Sequence, residues 1–380
     1  MNILLLNYEF PPLGGGAGNA TANLARQLTL LGHRVCVLTS AFDNLPKEEN
    51  YQGFKIYRVW TCRSKKYQGN IFEMLLYVIA AVVAAPRVLS KEGRPDKVIS
   101  FFSIPSGLVA YWLKKKYNLK YILSLRGGDV PGFYSRALKF YHFLTLPLNK
   151  KIWQQAEYIV ANSQSLRDLA QKTAAPLGQN IKIIPNGVDT DMFQPLFDKD
   201  NKKFTLIFAG RLCPQKGAAE LISAIRELSL NKAPTTSNLY CKIAGRGPSE
   251  KELKKMVVDF KLKETIAFVG WLDKENLLRE YRSADVFILP STDEGMSNAI
   301  LEAMASGLVI IAKNMPANRE LIVSEVSGLL YDNASELPLM ISRLMTDHAL
   351  KDQLSSAARA RALKFSWRHV AEMYEQLLIS

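Results

Sequence analysis

The chain has 380 residues, 48% of them apolar and 22% charged. That is the balance of a soluble globular protein, and the length exceeds what one hydrophobic core usually fills, so two domains are expected. The net charge of +14 is uneven: Met1 to Asp200 carries 25 Lys and Arg against 14 Asp and Glu, Asn201 to Ser380 carries 24 against 21, and Tyr51 to Lys150 alone carries 17 against 4. Four scattered cysteines, Cys36, Cys62, Cys213 and Cys241, exclude a disulfide scaffold or a CxxC zinc site and fit a reducing cytoplasm.

In chain order, MNILLLN reads as an opening strand rather than a signal segment, so secretion is not expected. EFPPLGGGAGNA follows. As a dinucleotide fingerprint it fails: Pro11 and Pro12 separate the strand from the first glycine, and Asn19 stands where the last glycine belongs. What remains is a flexible loop whose N–H groups at Gly14, Gly15 and Gly16 can approach phosphate or sugar oxygens. A helix over Thr21 to Leu31, closed by Gly32, then leads into the strand RVCVLT, which ends in no acidic residue. The apolar run Met74 to Ala85 is 12 residues long, too short to span a bilayer, and reads as a buried helix. KVISFF, KYILSL and EYIVAN continue the strand pattern to IIPNGVD, Ile183 to Asp189, where Pro-Asn-Gly marks a seam.

The alternation restarts at Phe204 with FTLIFAG, a helix over Ala218 to Leu230, and the strands NLYCKIAG, ETIAFVG, ADVFILP and LVIIAK. Two parallel α/β halves in tandem follow from this pattern. Ligands of such sheets bind at the strands' carboxyl ends, which places a cleft between the halves. After FTLIFAG, Arg211 and Lys216 flank a Pro-containing loop, a pair of cations suited to a diphosphate. In STDEGMSNAILEAMASG, Ser291 to Gly307, Ser297 can cap a helix while Glu294 and Glu302 flank the junction. A carboxylate can accept both hydroxyls of a ribose or hexose diol. Cations for phosphates and acids for two sugars make a nucleotide-sugar site. Asp189-Thr190-Asp191 mimics a metal-binding DxD pair but follows a turn, so it reads as capping chemistry. No metal or other cofactor is expected. His33, His142, His348 and His369 are dispersed and read as structural.

The succession Gly210-Arg211-Leu212, Lys216-Gly217, Gly245-Arg246-Gly247-Pro248, Phe268-Val269-Gly270 and Glu294-Gly295 through Glu302-Ala303-Met304-Ala305 with Gly307 resembles the retaining glycosyltransferases of family 4. With IIPNGVD and the glycine loop, the resemblance covers nearly the whole chain. It implies a GT-B fold: two Rossmann-like domains whose parallel sheets face an interdomain cleft. Residues 1–185 would form the acceptor domain, joined by a crossover helix over 365–380, and residues 186–364 the donor domain. By position, Arg211 and Lys216 would bind the donor diphosphate together with the Gly245-Arg246 turn, and Glu302 the ribose. Glu294 with Gly295, Met296, Ser297 and Asn298 would hold the transferred sugar, and Gly15 and Gly16 would close on the phosphates. Where many members carry a histidine, this chain has Arg126, with Asp129 three residues on, and these two stand with Glu294 as the candidate catalytic residues. An arginine stays charged and cannot be a base, but it can donate to a sugar hydroxyl or the departing phosphate.

The resemblance therefore implies a metal-independent transferase that moves a sugar, with a UDP-linked hexose expected, from a nucleotide donor to a glycan or lipid-linked acceptor with retention. Cell-envelope polysaccharide or glycolipid synthesis is the expected setting. A non-catalytic partner subunit of the same fold and a nicotinamide-dependent oxidoreductase are the alternatives, the second weakened by the broken fingerprint. The basic first half reads either as a solvated face or as one attracted to an anionic surface such as a phospholipid leaflet, a lipid pyrophosphate acceptor or a polyanion; peripheral contact with an anionic membrane on the cytoplasmic side is the expectation, and binding to nucleic acid is not.

Overall fold

The computed structural model describes residues 1–65, 69–133, 139–196, 203–230 and 238–380; Lys66 and Arg136 of the basic segment lie outside them. The chain forms two compact units, Met1–Asn186 with Trp367–Ser380, and Gly187–Ser366.

In the first unit, β1 (Asn2–Leu6), β2 (Arg34–Ser40), β3 (Glu48–Tyr51), β4 (Phe54–Val59), β5 (Lys97–Phe101), β6 (Tyr121–Ser124), β7 (Tyr158–Ala161) and β8 (Ile181–Ile183) form one sheet. Its order among the described residues is β3-β4-β2-β1-β5-β6-β7-β8, and only β3 runs antiparallel to its neighbour. The chain moves outward from β1 to β3 and then returns to β5, so the switch in direction falls between β1 and β5. Alternation within β1 feeds two cores. Leu4 and Leu6 face α2 (Ile71–Glu92), α3 (Leu108–Tyr117), α4 (Lys139–Gln155) and α5 (Gln164–Ala174), while Ile3 and Leu5 face α1 (Gly16–Leu30) and the carboxyl-terminal helix α13 (Trp367–Ile379). Trp367, Val370, Tyr374 and Leu378 anchor α13 on that second face.

Three readings of this half change. Helix α1 begins at Gly16, not Thr21, with Gly15 as its cap residue; the small residues Ala17, Gly18 and Ala20 follow the turn directly. The hairpin β3–β4 escaped notice because EENY is polar, yet Gln52 and Gly53, with φ of 48° and 91°, close it as a two-residue turn. The third change concerns Met74 to Ala85. Its helix is longer, starting in a capping box between Asn70 and Glu73 and running through Pro86. It is buried on one face only: Tyr77, Ala81, Ala85 and Val88 meet the sheet, whereas Ile71, Phe72, Leu75, Ile79 and Val83 are exposed.

The second unit is a six-stranded sheet of β9 (Phe204–Ala209), β10 (Leu239–Ala244), β11 (Ile266–Gly270), β12 (Val286–Leu289), β13 (Val309–Lys313) and β14 (Leu329–Tyr331), ordered β11-β10-β9-β12-β13-β14. All neighbouring pairs are parallel. Helices α6 (Ala218–Leu230), α7 (Glu250–Asp259), α8 (Lys274–Arg282), α9 (Asn298–Ala305), α10 (Pro316–Leu321), α11 (Glu336–Thr346) and α12 (His348–Leu363) accompany the strands. Their apolar faces join those of the strands in a continuous core. Here the switch lies between β9 and β12.

Candidate active site

At the switch point of the second sheet, the loops leaving the carboxyl ends of β9 and β12 are fastened together. The Gln215 side chain donates to the Asp293 carbonyl at 2.8 Å, and Thr292 N–H donates to the Gln215 carbonyl at 3.0 Å. Lys216 Nζ lies 2.5 Å from Glu294 Oε1, with the Glu294 side chain only 9% exposed. The cation and acid that the sequence presents as separate features are therefore one ion pair. Burial and then the neighbouring Glu294 raise the carboxyl of Asp293, which Lys216 opposes. Arg211 is exposed, and no carboxylate pairs with it among the described residues.

Glycines allow this closeness. A Cβ on Gly217, whose φ is +70°, would stand 2.2 Å from the Pro290 carbonyl oxygen; one on Gly245, at φ +137°, would stand 1.9 Å from that of Gly210. Gly210 N–H donates to the Ala244 carbonyl and Leu212 N–H to that of Arg246, each at 3.0 Å. The loop after β10 thus supports the loop after β9 and leaves Arg246 exposed at the rim.

Helix α9 starts at Asn298, where Ser297 Oγ accepts from Ile300 N–H at 3.4 Å. Gly295 and Asn298 are half-buried and Met296 is buried. Glu302 lies one turn into the helix and leans back toward its start. Burial pushes its carboxyl up to about 7, with the charge of Lys274 opposing. Among the described residues no group donates a hydrogen bond to it. Among the described residues the hydroxyl of Tyr281, close enough to feel Glu302, is buried without a partner, as is that of Ser291 at the end of β12. Sequence reading missed Gln215, Tyr281 and Ser291. Only the adjacency of Gln215 to Lys216 marked any of them.

In the first unit, Asp129 is buried and occupied: Oδ1 accepts from the N–H groups of Arg126 (2.9 Å) and Gly127 (3.0 Å), and Oδ2 from that of Ser103 (2.9 Å). Burial raises its carboxyl and these donors oppose the rise. The Arg126 guanidinium lies 4.5 Å over the Phe101 ring and donates to Asn186 Oδ1 at 2.7 Å. His142 is buried near Asp129, and among the described residues both its ring nitrogens are unpartnered; burial lowers its pKa and Asp129 opposes. At the glycine loop, the buried Glu9 carboxylate lies beneath Gly14. A Cβ on Gly14, at φ +79°, would collide with Glu9. Glu9 in turn faces Arg63, 3.6 Å away. The acid beneath the glycines gave no sequence signal beyond its place in the EFPP turn. Asp189 of the DxD look-alike accepts from Met192 N–H at 3.0 Å, the geometry of a capping turn.

The model described as "Glycosyltransferase Family 4" matches residues 14–192, and that described as "Glycosyl transferases group 1" matches residues 189–361. A "GDP-mannose-dependent alpha-mannosyltransferase" of Corynebacterium glutamicum is 27% identical over 87% of this chain and 77% of its own. A "UDP-Gal:alpha-D-GlcNAc-diphosphoundecaprenol alpha-1,3-galactosyltransferase" of Escherichia coli is 35% identical over 40% of this chain and 41% of its own. Among solved structures, the sucrose-phosphate synthase of Thermosynechococcus elongatus superposes with a TM-score of 0.83 at 22% identity, covering 99% of this chain and 98% of that one, a likeness of fold. With both sheets doubly wound and consecutive family models spanning residues 14–361, the chain belongs to the glycosyltransferases of group 1 and family 4, with the GT-B fold.

Proposed function

We propose that this glycosyltransferase moves a hexose from a UDP-sugar to a glycan or lipid-linked acceptor, with retention of configuration and without a metal, in the synthesis of envelope polysaccharide or glycolipid at the cytoplasmic side of a membrane. The observation that carries the reading is the Lys216–Glu294 ion pair at the carboxyl-end switch point of the second sheet, with Arg211 on the same loop after β9 and Glu302 one turn into the helix that follows β12. Arg211 and Arg246 meet the nucleotide phosphates, and Lys216 lies between phosphate and sugar because Glu294 holds it there. Glu302 accepts from the ribose hydroxyls. Glu294 and the backbone from Gly295 to Asn298 orient the hexose.

In this reading the bond from the anomeric carbon to the β-phosphate oxygen breaks as the acceptor oxygen bonds to the same face of that carbon. The acceptor's proton passes to the departing phosphate oxygen. Arg211 and Lys216 stabilise the charge that grows there, and Glu294, tied to Lys216, acts by charge and position rather than as a nucleophile. Asp129 and Arg126 shape the first unit's loop rather than exchange protons. A lipid-linked acceptor is supported by the name of the galactosyltransferase relative.

A thermal-shift panel of UDP-, GDP- and ADP-sugars, followed by NMR of the product's anomeric signal, tests the proposal. A bound donor at a hundred times its Kd should stabilise the native state by about 2.7 kcal/mol. A response to GDP-sugars alone would overturn the UDP assignment, and an inverted anomeric signal would overturn retention.

A further inference from the structure

Helix α2 has 22 residues and is apolar enough to cross a bilayer, yet Tyr77, Ala81, Ala85 and Val88 bind it to the sheet, and leaving the sheet would expose that core. Its outer face carries Ile71, Leu75, Ile79 and Val83 at every fourth position, with Phe72 beside them, each at least 55% exposed. A second stripe, Phe140, Phe143 and Leu144, stands exposed on α4. Between them is α3, which packs against both helices on the same face of the sheet. An exposed apolar surface of this extent marks a docking site.

Charge identifies what docks. Exposed Lys150 and Lys151 follow the α4 stripe, and the last turn of α3 carries Lys114, Lys115 and Lys116. Lys116 lies 5.0 Å over the Trp112 ring and Lys115 lies 5.6 Å over that of Tyr111, aliphatic stems along aromatic faces. The four carboxylates between Tyr51 and Lys150 leave this face free of acid. Glu73, Glu92 and Asp129 are buried, and Asp96 accepts from the backbone of Asn2. Glu48 is paired with Arg87 and Lys91 at the far end of α2, Glu157 beyond the end of α4 with Lys97 and Lys120, and Asp168 on α5 with Arg167. Apolar stripes, interfacial aromatics and cations whose neighbouring carboxylates are buried or already partnered match an anionic lipid interface, on which such helices lie flat.

We infer that the outer face of α2 and α4 docks the protein on an anionic bilayer, with Leu75, Ile79 and Phe143 inserted below the headgroups and Lys115, Lys116, Lys150 and Lys151 among them. The inference rests on the reading of a lipid-linked acceptor, and its test separates the two. The full-length protein is sedimented with phosphatidylcholine vesicles, with and without phosphatidylglycerol, at low and high salt, alongside the double variants Leu75→Glu/Ile79→Glu and Lys150→Gln/Lys151→Gln. Unchanged melting temperature and nucleotide-diphosphate binding confirm that each variant is folded. The wild type should bind the anionic vesicles preferentially. The apolar pair should lose about tenfold or more in partitioning, and the lysine pair should weaken binding chiefly at low salt.

Full vesicle binding by Leu75→Glu/Ile79→Glu overturns the inference, and so does equal binding of the wild type to neutral and anionic vesicles. A dimer in sedimentation velocity that this pair dissociates, without vesicle binding by the wild type, would assign the face to a second copy instead. Vesicle binding with the expected losses, but no transfer to any lipid-linked acceptor, leaves the docking face standing and removes the acceptor reading.

Discussion

Glu302 and Glu294 differ in partners, and that difference sets their expected roles. Glu302→Gln should chiefly raise the donor KM and weaken the bare nucleotide diphosphate by roughly 1.5–3 kcal/mol, the range of a charge-assisted hydrogen bond. Glu294→Gln should mainly lower kcat; because it also releases Lys216, it should weaken the nucleotide diphosphate too, but by less than Glu302→Gln does, and calorimetry on both variants checks the division. The raised carboxyl of Glu302 adds a pH dependence. Between the unfolded carboxylate range and about 7, the native state holds a proton that the unfolded chain has released, so this group's contribution to stability falls as pH rises through that window. A ribose diol needs the ionised acid. Nucleotide-diphosphate affinity should therefore improve by up to about tenfold from pH 6 to pH 8 in the wild type and stay level in Glu302→Gln. Equal pH profiles in the two proteins would mean that Glu302 does not titrate against the ligand.

Among the elements, the site depends on loops that approach closer than any side chain permits. Gly245→Ala forces a Cβ against the Gly210 carbonyl at 1.9 Å with φ at +137°, so it should lower unfolding stability by roughly 2 kcal/mol or more in urea titration. Gly178→Ala, at a positive φ of +70° in the left-handed helical region with open space around it, should cost only about 1–2 kcal/mol. Equal costs would show that backbone strain, not the crossing of loops, governs Gly245. Gly15→Ala meets nothing within 4 Å, so at this helix cap it should cost no more than about 1 kcal/mol. A drop in activity from that variant beyond its stability loss would locate a ligand at the glycine turn.

For the molecule as a whole, the cations of the second unit should meet the donor's charge unaided. Transfer should persist in EDTA at its original rate; complete loss, restored by Mg²⁺ or Mn²⁺, would require a metal. The charge of the first half, 25 cationic against 14 acidic side chains, bears on where the enzyme works rather than on its chemistry.

The sequence by itself determined the two α/β halves and the loops that carry chemistry, because buried parallel strands need continuous apolar runs and the strand ends at Gly210, Gly245, Gly270 and Pro290 are marked by glycine or proline. It also placed the start of α9, since Ser297 must cap whatever helix follows. Only tertiary structure decided that Lys216 binds Glu294 across 78 residues of chain, because that contact arises from β9 and β12 lying side by side. The same holds for Asp129, whose backbone donors come partly from Ser103, and for the raised carboxyl of Glu302, which records burial that composition does not encode. The outward face of α2 was hidden for a simpler reason. An apolar run has no direction until a sheet covers one side of it.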